Sequence, residues 1–232
     1  MINHLNDLTI VSITFNNDGI YRTIDSVQPL LQSGAKMIIQ NGGTPLKHTN
    51  KEIIVNDKED KGIYDALNKG INSVRTKYFM LLHAGDSFIG TAQELMHILK
   101  DLEYSSNSLS LNSQYIGRRL HSSVLWRKWM LHLGVQPPHL PCIYKSAIYK
   151  AKKYSLEIPI IADFHFFSFQ VEWEGVIWHN KLLVKMEEGG VTSGGLISFL
   201  TVSSSYLKTY GIKKGLIMAL FRIPFKLLQA LI

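Results

Sequence analysis

Short apolar runs alternate with segments of helical spacing through the first hundred residues. Leu8-Thr9-Ile10-Val11-Ser12-Ile13-Thr14 is strand-like and ends in the polar loop Phe15-Asn16-Asn17-Asp18-Gly19; Ile20 to Leu31 has the spacing of the helix that follows. Lys36-Met37-Ile38-Ile39 reads as a second strand stopped by the turn-rich Gln40-Asn41-Gly42-Gly43, and Glu52-Ile53-Ile54-Val55 reads as a third. Asp60 and Gly62 fit a helix entrance, Ile63 to Val74 a helix, and Tyr78-Phe79-Met80-Leu81-Leu82 a buried strand. Ala92 to Leu102 places Leu95, Ile98, Leu99 and Leu102 on one helix face, and Ser105 to Ser113 reads as a polar connection. The alternation predicts an α/β fold whose parallel strands are joined by right-handed crossovers. Ligands of such sheets bind outside the carboxyl ends of the strands, so Asp86, just past Leu82, stands where a nucleotide-bound metal ion can sit; it could instead cap the next turn.

Farther on the pattern loses its regularity. Tyr115 to Leu133 interleaves Arg118, Arg119, Arg127 and Lys128 with Trp126 and Trp129, then breaks at Pro137-Pro138-His139, and no repeat is visible. From Lys213 to Ile232 the chain is strongly apolar, with Arg222, Lys226 and Gln229 forming one polar stripe on a helix. Arg222 and Pro224 interrupt it too much for a membrane span, so it is expected to lie on an anionic membrane surface, the alternative being packing on its own domain or a second subunit.

The 232 residues are enough for one sizeable core, and 46% hydrophobic with 19% charged content argues against disorder. The single cysteine, Cys142, excludes an internal disulfide framework. The polar opening Met1 to Asp7 has no signal-peptide pattern, so a cytoplasmic location is expected. A net charge of +7 favours polyanionic partners such as nucleic acid, anionic lipid or diphosphates, but no zinc spacing, helix-turn-helix or RNA-binding motif supports nucleic acid.

The stretch Asp60 to Asp86 resembles the family 2 glycosyltransferases, especially short bacterial members that build surface polysaccharides. Their pattern runs D-x-G-I-Y-D-A-M-N-K-G-I, then a strand and L-N-x-G-D; Asp60, Gly62, Ile63, Tyr64, Asp65, Ala66, Asn68, Lys69, Gly70, Gly85 and Asp86 match it. The resemblance extends from about residue 8 to 193. It implies a GT-A fold, a mostly parallel central sheet flanked by helices, over 1–200, with a donor half up to about residue 100 and an acceptor half over about 101–200; the tail over 201–232, beyond the resemblance, is expected from its apolar and basic pattern to be helical and membrane-associating.

The same resemblance assigns roles. Asp86 would hold a divalent ion, Mn2+ or Mg2+, in the segment His83-Ala84-Gly85-Asp86, with His83 where relatives have Asn or Asp; one carboxylate can suffice because phosphates and water complete the shell. Thr14, Asn16, Asn41, Gly42, Asp60, Lys61, Gly62, Asp65, Asn68 and Lys69, with His83, Ala84 and Gly85, would line the nucleotide-sugar donor. Asn41 replaces a family Asp, and Asn-Gly is also a common turn. Asp65 and Lys69, four apart on a helix, could simply pair with each other. His139 would meet the donor diphosphate or the acceptor, or serve structure alone. Asp163, in Ile160-Ile161-Ala162-Asp163-Phe164-His165-Phe166, would be the catalytic base, desolvated or paired in its apolar run; it could also cap a helix starting at Phe164, and His165 replaces the family's next acid. Glu187-Glu188-Gly189-Gly190-Val191-Thr192 resembles the segment closing the catalytic region.

The function so implied is inverting transfer of a sugar, from a UDP-sugar in preference, to a polyprenyl-diphosphate oligosaccharide on the inner face of a bacterial membrane. The alternative is a catalytically weak sugar-nucleotide-binding or scaffold protein of a membrane glycan assembly, motivated by Asn41, His83 and His165 in place of acids.

Overall fold

Leu8–Thr14 forms β1, and every residue of it is buried. A strand covered on both faces cannot alternate apolar and polar positions, which is why its sequence is a continuous run. A computed structural model describes residues 5–47, 50–117, 119–187 and 195–231. In chain order the elements that matter for the site are α1 Gly19–Ser26, α2 Gln28–Gln32, β2 Lys36–Asn41, β3 Ile53–Asp57, α3 Ile63–Ser73, β4 Tyr78–Leu81, β5 Ser87–Phe88, α4 Ala92–Tyr104, β6 Leu109–Ile116, β7 Arg119–His121, β8 Ile143–Lys145, α5 Ser146–Tyr149, α6 Ala162–Phe169, β9 Val176–Met186 and α7 Gly195–Leu231. They build one nine-stranded sheet ordered β3-β2-β1-β4-β8-β6-β9-β5, with β7 paired to β6.

The strands β3, β2, β1 and β4 are all parallel. Chain order reverses between β1 and β4, so the crevice beyond their carboxyl ends is the topological switch point of the sheet. Past β4 the sheet is mixed: β8 is antiparallel to β4 and to β6, and β9 is parallel to β6. Gly70 lets α3 press on β1, since a Cβ there would lie 2.7 Å from Val11 Cγ1.

Two elements differ from the sequence expectation. The helix expected over Ile20 to Leu31 is two helices, α1 and α2, because Pro29 enters the first turn of a new one after Val27. The polar connection expected over Ser105 to Ser113 is largely β6, an inner strand. Several of its polar groups are bonded inside the sheet: Asn112 Nδ2 donates to Ser110 Oγ and to the Pro141 carbonyl, both at 3.0 Å, and Ser110 Oγ meets His179 Nδ1 at 2.8 Å, whereas Asn112 Oδ1 and Gln114 Oε1 have no partner among the described residues. Trp126 and Trp129 do not share a helix face. Trp126 is buried and stacks on Trp173 at 4.7 Å, whereas Trp129 is exposed in a 3-10 turn, Lys128–Leu133.

The last element is two helices joined at Gly211, whose φ of 78° breaks the helix. The second leg folds back on the first, because a Cβ on Gly215 would meet the Leu207 backbone at 2.6 Å. Val202, Tyr206, Met218 and Ala219 are buried, so both legs pack on their own domain. The opposite side of the second leg exposes Ile212, Leu216, Ile217, Leu220 and Phe221. Among the described residues no helix is long and apolar enough to cross a membrane. The expected stripe of Arg222, Lys226 and Gln229 falls on side chains outside the described ones, and Glu188 to Thr192 lies outside the described residues.

Candidate active site

Two cavities open side by side beyond the carboxyl ends of the parallel strands, and Ile63, His83 and Met186 form the wall they share. The first, of about 650 Å³, receives Thr14 from the end of β1, Asp60 and Gly62 from the entrance to α3, His83, Ala84 and Asp86 from the loop after β4, and Glu187 from the end of β9. Five of the expected donor residues, Thr14, Asp60, Gly62, His83 and Ala84, are thus brought together with Asp86, the expected metal ligand.

Asp86 is 5% exposed, and its Oδ1 accepts from the Glu187 backbone N–H at 3.1 Å. It is held by this bond rather than capping a helix. Desolvation pushes its pKa up to about 7. The loop carrying it is clamped by Thr23 of α1, whose hydroxyl accepts from Gly85 N–H at 3.1 Å and donates to the Asp86 carbonyl at 2.7 Å. Thr23 was not legible as a site residue, since a threonine inside a helix carries no signal. The Glu187 carboxylate pairs with Arg22 on the rim.

The cavity thus gathers the carboxyl groups of Asp60, Asp86 and Glu187 and no lysine or arginine among the described residues. No group of three or more His, Cys, Asp or Glu among the described residues could hold a metal ion unaided. A desolvated carboxylate with no direct salt bridge among the described residues, one further acid beside it and room for a ligand nevertheless fits a Mg2+- or Mn2+-type site, in which phosphate oxygens and water supply the remaining positions.

The other expected donor residues act on the protein itself. Asn41 is buried; its Nδ2 donates to Thr44 O at 2.8 Å and Asp57 Oδ1 at 2.6 Å, and its Oδ1 accepts from Gly43 N at 3.1 Å. Asn16, at φ 48°, accepts from Thr44 N at 2.8 Å, tying the β1 loop to the β2 loop. Gly42 is needed because the Asp60 carboxylate fills the place a side chain would take; Asp60 Oδ1 also accepts from Gly62 N at 3.0 Å. Asp65 accepts from Lys61 N–H at 2.9 Å and Lys69 Nζ at 2.8 Å; the Lys69 hydrogen bond, foremost, holds its carboxyl below the usual range. Asn68 makes a pair of 2.9 Å bonds with the Tyr154 backbone, N–H and C=O. Lys61, Asp65, Asn68, Lys69 and Gly85 line neither cavity.

The second cavity, of about 400 Å³, contains Asp163 and His139. Asp163 lies in the first turn of α6, which begins at Ala162 with Ile161 in the cap position, two residues earlier than a cap at Asp163 requires. It is paired: Oδ2 accepts from Gln136 Nε2 at 2.6 Å and Oδ1 from Phe164 N–H at 2.8 Å. The Tyr64 hydroxyl is held well above its ordinary pKa, by desolvation first and by the Asp163 charge second. Desolvation lowers His139 and draws His83 down to about 3, so both rings are neutral near pH 7. Gln114, His121, Gln136 and Tyr206, which sequence reasoning passed over, also line this cavity.

No family model and no curated protein matches the chain in sequence. Solved structures do match in shape. The 1–349 portion of S. aureus TarS in complex with UDP-GlcNAc superposes with a TM-score of 0.59 at 11% identity, over 93% of this chain and 71% of that one. The mannosyltransferase PcManGT from Pyrobaculum calidifontis, in complex with GDP-Man and Mn2+, gives 0.59 at 10% identity over 94% and 70%. The chain has the GT-A fold. Glucosyl-3-phosphoglycerate synthase from Mycobacterium tuberculosis, in complex with Mn2+, UDP and glucosyl-3-phosphoglycerate, gives 0.52 at 14% identity over 89% and 81%. At these identities the likeness shows the fold, and the chemistry has to be argued from the two cavities.

Proposed function

We propose that the chain is an inverting glycosyltransferase, moving a hexosyl or N-acetylhexosaminyl unit from a nucleotide-diphosphate sugar, a UDP-sugar in preference, to a hydroxyl of a lipid-linked oligosaccharide in bacterial surface-polysaccharide synthesis. The observation that carries it is the pairing of two adjoining cavities, one holding Asp86 and the other Asp163, across the wall of Ile63, His83 and Met186. Structures of the same fold in complex with UDP-GlcNAc, and with GDP-Man and Mn2+, support the donor class.

The donor diphosphate would occupy the first cavity, with Asp86 and Glu187 as the protein groups available to a divalent ion. Such an ion, when bound, neutralises the charge gathering on the departing diphosphate. Asp163, oriented by Gln136 and the Phe164 N–H, takes the proton of the acceptor hydroxyl. The hydroxyl oxygen then bonds to the anomeric carbon while the bond to the diphosphate breaks on the opposite side, and a single displacement inverts the anomeric centre. The nucleoside diphosphate leaves with the electron pair.

The second leg of α7 gives a lipid-linked acceptor a physical setting. Its exposed Ile212, Leu216, Ile217, Leu220 and Phe221 lie beside exposed Lys213 and Lys214, the combination that binds an anionic surface, here the inner face of the cytoplasmic membrane.

The test is release of UDP or GDP from UDP-Glc, UDP-GlcNAc, UDP-Gal and GDP-Man with Mn2+ and a set of polyprenyl-diphosphate-linked oligosaccharide acceptors, for the native chain and for Asp163→Asn. Asn preserves the bond from Phe164 N–H but accepts no proton, so turnover should drop by roughly 10²–10⁴-fold with donor affinity nearly unchanged. Near-native turnover by the variant removes Asp163 from the base role. Binding of a sugar nucleotide with no turnover at all by the native chain selects the binding-protein reading, favoured by the His83 and His165 replacements.

A further inference from the structure

We propose that the cavity around Asp163 takes an uncharged, hydroxyl-bearing sugar unit and rejects anionic ones, and that the side-chain amides of Gln114 and Gln136 make this selection. The inference rests on the glycosyltransferase reading above and names the class of acceptor.

Charge comes first. In a chain with 25 lysines and arginines, none of the described residues lining this cavity is a lysine or arginine. Its one carboxylate, Asp163, already has both oxygens in hydrogen bonds. A phosphate or carboxylate bound here would find no lysine or arginine among the described lining residues and would face Asp163 across a partly desolvated space, where like-charge repulsion is weakly screened.

The uncommitted polar atoms come second. Gln114 Oε1, Gln136 Oε1 and His83 Nδ1 are buried and have no hydrogen-bond partner among the described residues, and all three residues line this cavity. The orientation of the Gln136 amide follows from chemistry: Asp163 Oδ2 can only accept, so the atom 2.6 Å from it is Nε2, and Oε1 is left over. Gln114, 3% exposed, spends its Nε2 on Met186 Sδ at 3.2 Å, which likewise leaves its oxygen over. A buried amide oxygen left unpaired is unfavourable, and it is satisfied by a donor hydrogen. Hydroxyls supply such donors; phosphates and carboxylates, all acceptor at neutral pH, do not. Leu67, Ile116, Val135 and Phe164 offer the apolar surface against which the C–H face of a sugar ring packs.

The test uses the full chain saturated with UDP and Mn2+, and saturation-transfer NMR against paired probes: para-nitrophenyl glucoside, galactoside and N-acetylglucosaminide against para-nitrophenyl glucuronide and glucose 6-phosphate. A thermal shift with UDP and Mn2+ is measured first, and its absence counts against the glycosyltransferase reading rather than against the cavity. With that shift present, at least one neutral glycoside should bind at least tenfold more tightly than both anionic probes. Gln114→Met, which keeps length and removes the unpaired oxygen, should raise the melting temperature while weakening the neutral glycoside about tenfold. Equal or tighter binding of the anionic probes overturns the proposal, as does binding of no probe. A Gln114→Met protein that melts lower and binds the glycoside normally also overturns it, since that is the behaviour of a purely structural residue.

Discussion

Replacing Asp86 by Asn isolates the electrostatics of the first cavity. Asn keeps the shape and can still accept from the Glu187 N–H, 3.1 Å away, so the substitution removes charge and little else. Desolvation raises the Asp86 pKa from an ordinary 3.8 to about 7. Between those values the folded protein binds more protons than the unfolded chain, so stability is greatest below about pH 4 and is lost as pH climbs towards 7, where the loss levels off. At 1.36 kcal/mol per pH unit the displacement corresponds to about 4 kcal/mol, a ceiling that water entering the cavity reduces. Urea denaturation of both proteins in EDTA from pH 4 to 8.5 measures it. The variant should be more stable than the native chain by about 2–4 kcal/mol at pH 8, with the gap closing towards pH 4. Mn2+ with UDP should then stabilise the native chain and not the variant, because a ligand that binds only the folded state adds its binding free energy to stability. A gap that does not change with pH, or a variant less stable at pH 8, refutes the account of Asp86 as a carboxylate kept destabilised for a cation.

Asn68→Ala removes both bonds to the Tyr154 backbone and should cost about 1–3 kcal/mol in urea denaturation while leaving the KM for donor unchanged; a raised donor KM at native stability would instead put the Asn68 side chain on the ligand. On phosphatidylglycerol vesicles, Lys213→Gln and Lys214→Gln should each weaken sedimentation about fivefold, near 1 kcal/mol per cation, and Leu216→Ser with Leu220→Ser should abolish it without lowering the melting temperature, since these side chains are exposed. Undiminished sedimentation of the doubly substituted leucine variant would rule out this face as the membrane contact.

The parallel half of the sheet could be read from sequence because burial on both faces leaves a run of apolar residues, and β1 and β4 are such runs. The same criterion concealed β6. Ser110, Asn112, Ser113 and Gln114 are buried like the apolar residues of β1, and the bonds they make go to one another, to His179, to the Pro141 carbonyl and to Met186, several of them partners far away in sequence that no local pattern announces. The break between α1 and α2 was signalled by Pro29 and outvoted by the continuing apolar spacing. The fold-back at Gly211 had only a lone glycine to mark it, and a glycine inside a helical pattern is ambiguous until the packing of Gly215 on Leu207 is known.

The site divides along a similar line. Residues expected at the end of a strand or the entrance of a helix, Asp86, Asp60 and Gly62, line the first cavity, and Asp163 lines the second, because strand ends and helix starts are visible in sequence. Residues of the same motif that face away from the crevice were not separable from them: Asp65, Asn68 and Lys69 share the helix that begins at Gly62, yet they brace it against Lys61, the Glu59 carbonyl and the Tyr154 backbone. A shared motif therefore mixes groups that line the cavities with groups that fix the element presenting them. Gln114 and Gln136 are the converse case, polar atoms without a motif, exposed as candidates only when their neighbours are counted and an oxygen is left over. That remainder is a property of the folded wall alone, and it gives the Asp163 cavity a chemical preference independent of any resemblance.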